Sequence, residues 1–486
     1  MPDLNSKVRF LLGNKPVEID LNCHPHYQPS VTVLNYLRSL TDHKGVKEGC
    51  AEGDCGACLV VVASPQHGGG LRYEAINSCL VFLPWMHGKQ LITIEDLSKG
   101  DDLHPVQQYM VDLYGSQCGF CTPGIVMALF SLYKSKLKPT RENVIRTMSG
   151  NLCRCTGYQP ILEAAIKALE AVGDDTFTPE EKAVSEKLLQ LQGQSITIDN
   201  GKQKYFKPAS WNEALKLRNE HPDAFIASGA TDLALRQSKK HEFIPKILDI
   251  SGIREIKTFE ANEAGWVIGS GLSIEETWNR SENRIPLFED VFSVFASHPI
   301  RNLATLGGNI GSASPIGDTL PVLIALGASV ELESLRGKRL VAMESYITGY
   351  RMTVLDADEL IRAVHIPKQL NSSVFRFYKA SKRRELDIST VSLAVKVDID
   401  ENSCVRNIIL AYGGMAEKPV RAYKTEKYLS GKKWDSETVS EASKLITSEF
   451  TPIADARSGK EARSIMARNL LIKFFAETAL TPVEHE

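Results

Sequence analysis

The apolar positions of the first 90 residues predict a small sheet with one helix. Apolar residues alternate on both sides of Gly13-Asn14, which predicts a β-hairpin over residues 8–21. A helical pattern follows over 33–40, and the apolar run 59–62 is typical of a buried strand. Strand, helix and strand in this order predict one compact domain that ends near residue 90.

Residues 91–172 show the spacing of amphipathic helices instead. Thr122 and Pro123 are predicted as the N-cap and first residue of a helix, because apolar residues follow at a helical period. Thr140 is predicted to open a second helix, and a third is predicted from Pro160 to Val172. This stretch therefore predicts a mainly helical domain.

The remaining pattern predicts a linker and two α/β domains. Residues 173–200 are rich in charged residues and glutamine, which predicts an interdomain linker. A mixed α/β region with many glycines covers 201–373, and residues 374–486 form another mixed segment with strand patterns at 393–397 and 408–412. The chain is therefore predicted to be an α+β multidomain protein.

Length and composition agree with several folded domains. A chain of 486 residues suggests three or four domains, and 43% hydrophobic with 24% charged residues is ordinary for globular protein. A formal net charge of −2 gives no electrostatic case for nucleic acid or an anionic membrane as partner. The start of the sequence lacks a leader pattern, and no stretch approaches the roughly 20 apolar residues of a spanning helix. We therefore expect a cytoplasmic protein.

Eight of the ten cysteines fall into two sets within the first third of the chain. The first cysteine set is Cys50, Cys55, Cys58 and Cys79. Its C-x4-C-x2-C run with a distant fourth cysteine is the spacing of a plant-type 2Fe-2S ferredoxin. Gly53 and Gly56 would let the loop wrap closely around inorganic sulfide. We predict a ferredoxin-like β-grasp domain over 1–90, with a zinc knuckle or a disulfide framework as the alternative.

The second cysteine set is Cys118, Cys121, Cys153 and Cys155. Its two pairs are separated by 31 residues, and a four-cysteine zinc site could be built from similar pairs. A cluster is favoured because the first pair precedes a helix start, where N–H groups stabilise thiolate charge, and the second follows a helix end at Gly150-Asn151. We predict a second 2Fe-2S cluster in the helical domain 91–172. The remaining Cys23 and Cys404 are predicted to be buried small residues.

Two glycine-containing segments could bind a pyrophosphate. They are Ile226–Leu233 and Ala304–Asp318. Successive backbone N–H groups in tight turns can form an anion site, although ordinary turns are the better explanation from the residues alone. Neither segment carries a Rossmann or P-loop glycine pattern.

Several strings closely resemble the xanthine dehydrogenases of the molybdenum hydroxylase family. They are Cys50–Cys58, Gln117–Gly124, Gly150–Tyr158, and Gly307–Ile310 with Ser314–Asp318. They follow the family's order along nearly the whole chain, which ends where the family's molybdenum-binding portion would begin. The resemblance implies the iron–sulfur/FAD small subunit of a split, bacterial-type enzyme. Its partner would be a large molybdenum-cofactor subunit in an α2β2 heterotetramer.

The resemblance also implies how FAD is bound. It implies a non-Rossmann α/β FAD-binding domain over 201–373 and a C-terminal α/β flavoprotein domain over 374–486. The residues implied for the FAD diphosphate are Ile226, Ala227, Ser228, Gly229, Ala230, Thr231, Asp232, Leu233, Thr305, Leu306, Gly307, Gly308 and Asn309.

Four further residues are implied around the flavin. Asp318 would bind the ribityl or ribose side. Ile361 and Lys379 would line the isoalloxazine, where Lys379 could stabilise negative charge on reduced flavin. Phe295 would cover the ring, and a core residue is the simpler reading of this phenylalanine.

The resemblance implies an electron route and a reaction. Electrons would pass from molybdenum in the partner to the second cysteine set, then the first, then FAD and finally NAD, while hypoxanthine or xanthine is oxidised to urate. Gln117 would contact the pterin of the molybdenum cofactor, and its simpler reading is an amide that bonds local backbone. No catalytic residue would lie in this chain.

One departure from the family concerns the loop after Lys379. Eukaryotic relatives carry two adjacent acids there, whereas Leu386 replaces the first acid in this chain. The flavin potential and the preference for NAD are therefore open. Three alternatives stand beside the main interpretation: a subunit of another molybdenum hydroxylase acting on aldehydes, nicotinate or another purine, a stand-alone flavin–iron–sulfur reductase, and a zinc-stabilised scaffold.

Overall fold

In the computed structural model, the described residues are 5–66, 69–171, 173, 175–370 and 372–479. Val172, the predicted end of a helix, lies outside them, as do Asp174 of the predicted linker and the N-terminal residues 1–4.

The chain divides into two compact units. The first consists of Met1–Arg254 with Ser297–Ala304, and the second of Glu255–Ala296 with Thr305–Glu486. The predicted FAD-binding domain, 201–373, is therefore divided between the units. Sequence periodicity carries no signal for such a division, because it reports local elements rather than which elements pack together.

The first unit begins with a five-stranded sheet and one helix. Its elements are β1 (Lys7–Leu12), β2 (Lys15–Asp20), α1 (Val33–Ser39), β3 (Leu59–Pro65), β4 (Leu71–Asn77) and β5 (Gln90–Ile92). The strand order is β2-β1-β5-β3-β4, with β1 and β5 parallel. Thr32 caps α1 by accepting a hydrogen bond from Asn35 N at 3.2 Å. The predicted hairpin, helix and strand are confirmed, and β5 carries the sheet past residue 90.

Four helices follow. They are α2 (Pro105–Asp112), α3 (Thr122–Ser135), α4 (Arg141–Met148) and α5 (Gln159–Glu170). The predicted start of α3 is wrong by one residue. Cys121 is the N-cap and Thr122 is already helical, because the Thr122 hydroxyl bonds Ser116 Oγ at 2.7 Å instead of capping the helix. Thr140 caps α4 through Asn143 N as predicted.

The predicted linker contains regular structure. Residues Glu181–Leu189 form α6, and Ile196–Asp199 form β6. Val184 and Leu188 are buried in the same core as α3 and α5. Two buried apolar positions among many charged ones are too few to give a helical period in the sequence. The composition of this stretch therefore suggested a linker, although a packed helix is present.

The first unit closes with a second, four-stranded sheet. Its further elements are β7 (Lys204–Lys207), α7 (Trp211–Glu220), β8 (Phe225–Ala227), α8 (Leu233–Ser238) and β9 (Lys246–Asp249). The order is β6-β7-β9-β8, and β9 runs parallel to both of its neighbours.

The second unit opens with a five-stranded sheet and helices. In chain order, with α11 of the first unit lying among them, the elements are β10 (Phe259–Asn262), β11 (Gly265–Gly269), α9 (Ile274–Ser281), α10 (Phe288–Phe292), α11 (His298–Arg301), α12 (Leu306–Ser312), α13 (Thr319–Ala325), β12 (Ser329–Ser334), β13 (Gly337–Ala342), α14 (Met343–Tyr346), β14 (Ile347–Gly349), β15 (Met352–Thr353) and β16 (Leu360–Pro367). The sheet order is β10-β11-β16-β12-β13.

The helix α11 belongs to the first unit, although it interrupts the second along the chain. Asn302, just after α11, donates a hydrogen bond from Nδ2 to the carbonyl of Ala75 on β4 at 2.9 Å. A Cβ placed on Gly53 would lie 2.8 Å from Ile300 Cδ1. A segment from the middle of the chain thus packs on the loop of the first cysteine set.

The second unit ends with an antiparallel sheet covered by helices. Its elements are β17 (Val374–Ala380), β18 (Val391–Ile399), β19 (Val405–Gly413), β20 (Val420–Arg421), α15 (Tyr423–Leu429), α16 (Ser436–Glu449) and α17 (Lys460–Ala479). The strands pair in sequence order, and their buried face packs against the helices. The α+β multidomain prediction is confirmed.

Two smaller observations complete the fold. Cys23 is exposed and Cys404 is only partly buried, so the prediction that both are buried is wrong. Cys23 follows β2 in an irregular bend, where the neighbouring side chains do not enclose it.

Within the described residues, no helix has the length and apolar character needed to cross a membrane.

Candidate functional site

The first cysteine set comes together between a glycine-containing loop and a short helix. Cys58 Sγ lies 3.3 Å from Cys79 Sγ, and both residues are buried. Cys50 and Cys55 form a second contacting thiol pair. Gly53 and Gly56 have φ values of 78° and 75°, a left-handed conformation that favours glycine. The loop therefore turns twice and brings the four cysteines together as two thiol pairs.

Hydrogen-bond donors surround these sulfurs. The backbone N–H of Asp54 donates to Cys50 Sγ at 3.2 Å, and Asn77 Nδ2 lies 3.9 Å from Cys58 Sγ. The hydrogen bond from the Cys55 thiol, together with backbone N–H groups, lowers the pKa of Cys50 to about 6, while the pKa of Cys55 is raised. One thiol of the pair is thus ready to ionise, which metal ligation requires.

The second cysteine set is assembled at the start of α3 and in the loop after α4. Cys118 contacts Cys155, and Cys121 contacts Cys153. Burial raises the pKa of Cys153, but hydrogen bonds from Thr156 and the Cys155 backbone outweigh it and lower this pKa to about 7. Cys153 is buried, whereas Cys118 and Cys155 are exposed. This set therefore has one open side.

Each set consists of two thiol pairs. A 2Fe-2S cluster needs this arrangement, because each of its two irons takes two protein thiolates and shares the bridging sulfides. A structural zinc ion would need four ligands around one centre. The donor geometry favours a two-iron cluster in each set.

The two cysteine loops pack directly on each other. Leu152 N, beside Cys153, donates a hydrogen bond to the carbonyl of Cys55 at 3.1 Å. A Cβ on Gly124 would come within 2.0 Å of the Gly56 carbonyl, so only glycine fits at this contact. The backbones of the two sets therefore touch without an intervening side chain.

The segment Ile226–Leu233 lies entirely in the first unit. It runs from β8 through a turn into α8. A Cβ on Gly229 would come within 1.8 Å of the Leu303 carbonyl, and Ala230 has a left-handed φ of 57°. Ser228 Oγ is buried without a hydrogen-bond partner among the described residues. A tight turn with an unsatisfied hydroxyl suits an anionic ligand.

A small cavity lies beneath this turn. Ser228 and Gly229 line it together with Tyr205 and Asp249. Tyr205 and Lys207 both donate to Asp249 Oδ2, at 2.7 and 3.0 Å. The cavity volume is about 10 Å³, enough for roughly one water molecule.

The segment Thr305–Asn309 lies in the second unit. Thr305 caps α12 by accepting a hydrogen bond from Gly308 N at 3.0 Å. A Cβ on Gly307 would lie 2.5 Å from Ser270 Cβ, whereas one on Gly308 would meet only Thr305 Oγ1. Gly307 is therefore required for packing, and Gly308 presents open backbone that a ligand can approach.

Four further predicted site residues lie in the second unit, and two of them, Lys379 and Asp318, form a buried ion pair. Lys379 Nζ donates to Asp318 Oδ2 at 2.9 Å and to the Val294 carbonyl at 2.8 Å. Ser389 donates to Asp318 Oδ1 at 2.5 Å. Phe295, next to Val294, is 8% exposed. Ile361 on β16 would lie 3.5 Å from a Cβ on Gly311, which places it against α12.

Two predicted residues lie at the surface or in a loop. Gln117 is exposed beside Cys118. Leu386 is half-buried in the loop between β17 and β18, where Arg383 pairs with Asp387 at 2.5 Å. The basic run at 382–384 in the same loop is exposed.

Models of known protein families match most of the chain. A [2Fe-2S] binding domain matches residues 93–166, the FAD binding domain in molybdopterin dehydrogenase matches 199–369, and the CO dehydrogenase flavoprotein C-terminal domain matches 376–478. The chain belongs to the molybdenum hydroxylase family. Its 2Fe-2S and FAD-binding character is therefore established at the level of domains.

Relatives within the molybdenum hydroxylase family include xanthine dehydrogenases. The chain is 30% identical to the xanthine dehydrogenase/oxidase of Gallus gallus, over 96% of this chain and 40% of the relative. It is 32% identical to the xanthine dehydrogenase of Drosophila pseudoobscura pseudoobscura, over 92% of this chain and 38% of the relative. The chain spans about two-fifths of the length of these relatives.

Solved structures agree in fold with part of this molybdenum hydroxylase chain. A reconstituted CO dehydrogenase from Oligotropha carboxidovorans has a TM-score of 0.53 at 23% identity, covering 57% of this chain and 97% of the other. Quinoline 2-oxidoreductase from Pseudomonas putida 86 has a TM-score of 0.52 at 22% identity, covering 56% and 95%. At this identity the likeness establishes the fold alone.

Sequence reasoning missed several residues that shape the site. Ser238 and Lys239, the last residue of α8 and its C-cap, hydrogen-bond the carbonyls of the first cysteine loop, and Ser389 bonds Asp318. These contacts join positions 71 to 189 residues apart in the chain. No local pattern signals them.

Proposed function

We propose that this chain is the iron–sulfur/FAD electron-transfer subunit of a xanthine dehydrogenase. It would work with a large partner subunit that holds the molybdenum cofactor and oxidises hypoxanthine and xanthine to urate, and NAD would be the final acceptor. We propose an α2β2 assembly in the cytoplasm. The observation that carries this proposal is the direct backbone contact of two paired cysteine sets in a chain that continues into a flavin domain.

The two cysteine sets would each hold one 2Fe-2S cluster. When bound, such clusters carry single electrons, and FAD exchanges one or two, which lets the chain connect a two-electron donor with a two-electron acceptor. The residues of this chain would position the clusters and stabilise their ligands. Gly53 and Gly56 shape the loop, the Asp54 N–H stabilises charge on Cys50, and burial keeps water away from Cys58 and Cys79.

Candidate FAD-binding residues occur in each unit. In the first unit, the unpartnered Ser228 hydroxyl and the turn at Gly229 and Ala230 suit the diphosphate. In the second unit, the open backbone at Gly308 suits it as well, and Lys379 would place a positive charge at the flavin. Phe295 would cover the flavin ring, Ile361 would line it, and Asp318 would bind the ribityl or ribose side.

The partner subunit would face the second cysteine set. Cys118, Cys155 and Gln117 are exposed, and Phe120 beside them is 49% exposed, which leaves an apolar and polar surface open to another protein. A cluster near the surface is also a short distance from an external donor. Gln117 would bond the pterin of the partner's cofactor.

Co-expression with a molybdenum-subunit candidate tests this proposal. The copurified complex should reduce NAD with xanthine as donor, and the Cys55→Ser complex should keep its subunits but lose NAD reduction. A complex that dithionite reduces and that oxidises an aldehyde or nicotinate, but not xanthine, would instead show that the chain belongs to another molybdenum hydroxylase. A colourless, zinc-containing chain would refute the electron-transfer role altogether.

A further inference from the structure

The residues at the end of α8 hold the loop of the first cysteine set. Lys239 Nζ donates a hydrogen bond to the Cys50 carbonyl at 2.9 Å. Ser238 Oγ donates to the Ala51 carbonyl at 2.8 Å. Lys239 also pairs with Glu52 at 3.2 Å. Ser238, the last residue of α8, and Lys239, its C-cap, thus bind three consecutive loop residues, Cys50, Ala51 and Glu52.

The held part of the loop is under backbone strain. Ala51 has a φ of 55°, a left-handed conformation that is unfavourable for a non-glycine residue. Such a conformation persists when its surroundings fix it. The hydrogen bonds from Ser238 and Lys239 on either side of this peptide supply that constraint.

Lys239 also brings charge to the loop. Its side chain is 44% exposed and that of Glu52 is 42% exposed, so solvent screens their ion pair. The hydrogen bond to the Cys50 carbonyl nevertheless holds the ammonium group against the backbone of Cys50, which is itself a predicted cluster ligand. Charges and hydrogen bonds near the ligands are among the main determinants of an iron–sulfur potential.

We propose that Lys239 is a positioning residue for the first iron–sulfur cluster and makes that cluster easier to reduce. The inference rests on the proposed function, because it requires a cluster on the first cysteine set. When a cluster is bound, its reduction would take one electron from the cluster of the second cysteine set and would break no bond. The added negative charge is stabilised by the ammonium group of Lys239 and opposed by the carboxylate of Glu52.

The position of Lys239 relates the potential of the first cluster to the direction of electron transfer. It follows α8, which continues directly from the segment Ile226–Leu233 proposed to bind FAD. A first cluster that is easier to reduce draws electrons away from the second cysteine set. The same short helix therefore serves the proposed flavin site at one end and the cluster potential at the other.

The test compares Lys239→Gln with Lys240→Gln, which removes the same charge from the next residue, an exposed one. Each purified full-length chain is titrated with dithionite and followed by electron paramagnetic resonance, with the first-set signal identified as the one lost in Cys55→Ser. We expect Lys239→Gln to shift the first-set midpoint to a more negative potential and to leave the second-set midpoint unchanged. Lys240→Gln should shift neither.

Two further variants separate charge from simple support. Lys239→Arg should keep the midpoint near the wild-type value, and Glu52→Gln should shift it to a more positive potential. An equal first-set midpoint in Lys239→Gln and Lys240→Gln would overturn the inference while the cluster itself is present. Absence of iron and sulfide from the wild-type chain would instead overturn the proposed function, so the two failures are distinguishable.

Discussion

Lys379 Nζ lies 2.9 Å from Asp318 Oδ2, and the two side chains are 3% and 7% exposed. The resemblance implied separate roles for them, one at the isoalloxazine and one at the ribityl or ribose side of FAD. In the structure they form one buried ion pair, which Ser389 and the Val294 carbonyl complete. Each residue therefore affects the stability of the second unit as well as any ligand that the unit binds.

Replacing Asp318 by Ala should remove FAD and also destabilise the second unit. An unpaired Lys379 would then be buried, which costs about 3–5 kcal/mol. The double variant Asp318→Asn with Lys379→Gln leaves no buried charge and should regain most of the thermal stability while still lacking FAD. Thermal unfolding and bound-flavin absorbance measure the two effects. Full FAD content in the double variant would place the flavin elsewhere.

The two cysteine sets predict a specific metal content. The purified chain should contain about four iron and four acid-labile sulfide atoms, two of each per cluster. Cys55→Ser should remove one of two paramagnetic signals in the reduced protein, because the sets share no ligand. Loss of both signals would mean that the sets are not independent. Metal analysis with resonance spectroscopy makes the comparison.

A methyl group at Gly124 should disturb the contact between the two cysteine loops. Its Cβ would approach the Gly56 carbonyl to 2.0 Å, so backbone must move, at a cost of about 1–3 kcal/mol or more. We expect Gly124→Ala to lower iron content and thermal stability. Gly173→Ala is the matched control, since its Cβ would meet nothing closer than 4.0 Å. Equal iron content in both variants would contradict the close contact.

His87 should make the first unit sensitive to acid. Burial, with the nearby charges of Lys207 and Lys89, lowers the pKa of His87 to about 4 from 6.5. Between these values the unfolded chain binds a proton that the folded chain does not. The free energy of unfolding should therefore decrease as the pH falls from 6.5 to 4, by up to about 3 kcal/mol, with no contribution above pH 6.5.

Denaturation by urea at several pH values checks this contribution. His87→Asn keeps an acceptor for the Arg9 N–H, which now donates to His87 Nδ1 at 3.1 Å, and should flatten the acid side of the stability profile. His26→Asn, at an exposed position in the same unit, should leave the profile unchanged. A profile as steep in His87→Asn as in the wild type would assign the sensitivity to other groups.

Leu386→Asp should lower the flavin potential. It restores the acid that eukaryotic relatives carry in this loop, and a negative charge disfavours reduced flavin that is itself anionic. We expect NAD to remain an acceptor, with a changed balance between NAD and dioxygen. Stopped-flow oxidation by each acceptor measures that balance, and Ile388→Asp, 48% exposed in the same loop, is the control. An assembled enzyme that reacts with dioxygen and never with NAD would refute NAD as acceptor.

Local features of this fold could be read from the sequence. The hairpin around Gly13-Asn14 and the capping of α4 by Thr140 follow from turn and capping chemistry within a few residues. The cysteine sets were predictable for the same reason, since their spacing and intervening glycines are local. Thr122 shows the limit, because its hydroxyl bonds Ser116 and thereby moves the helix start by one residue.

Long-range packing could not be read in this way. The helix α6 lies in a stretch whose composition predicted a linker, and only the core that it joins reveals it. The pairing of Asp318 with Lys379 joins residues 61 positions apart. The placement of residues 297–304 in the first unit depends on contacts with β4 and Gly53, which no periodicity records.

The packing of residues 297–304 on the first cysteine loop has a consequence during synthesis of the chain. Ile300 leaves the ribosome roughly 250 residues after Gly53, which takes about 12–50 s at 5–20 residues per second. Throughout that interval the loop lacks a neighbour that the finished protein places against it. For that interval the loop is therefore uncovered on the side that residues 297–304 occupy in the finished protein.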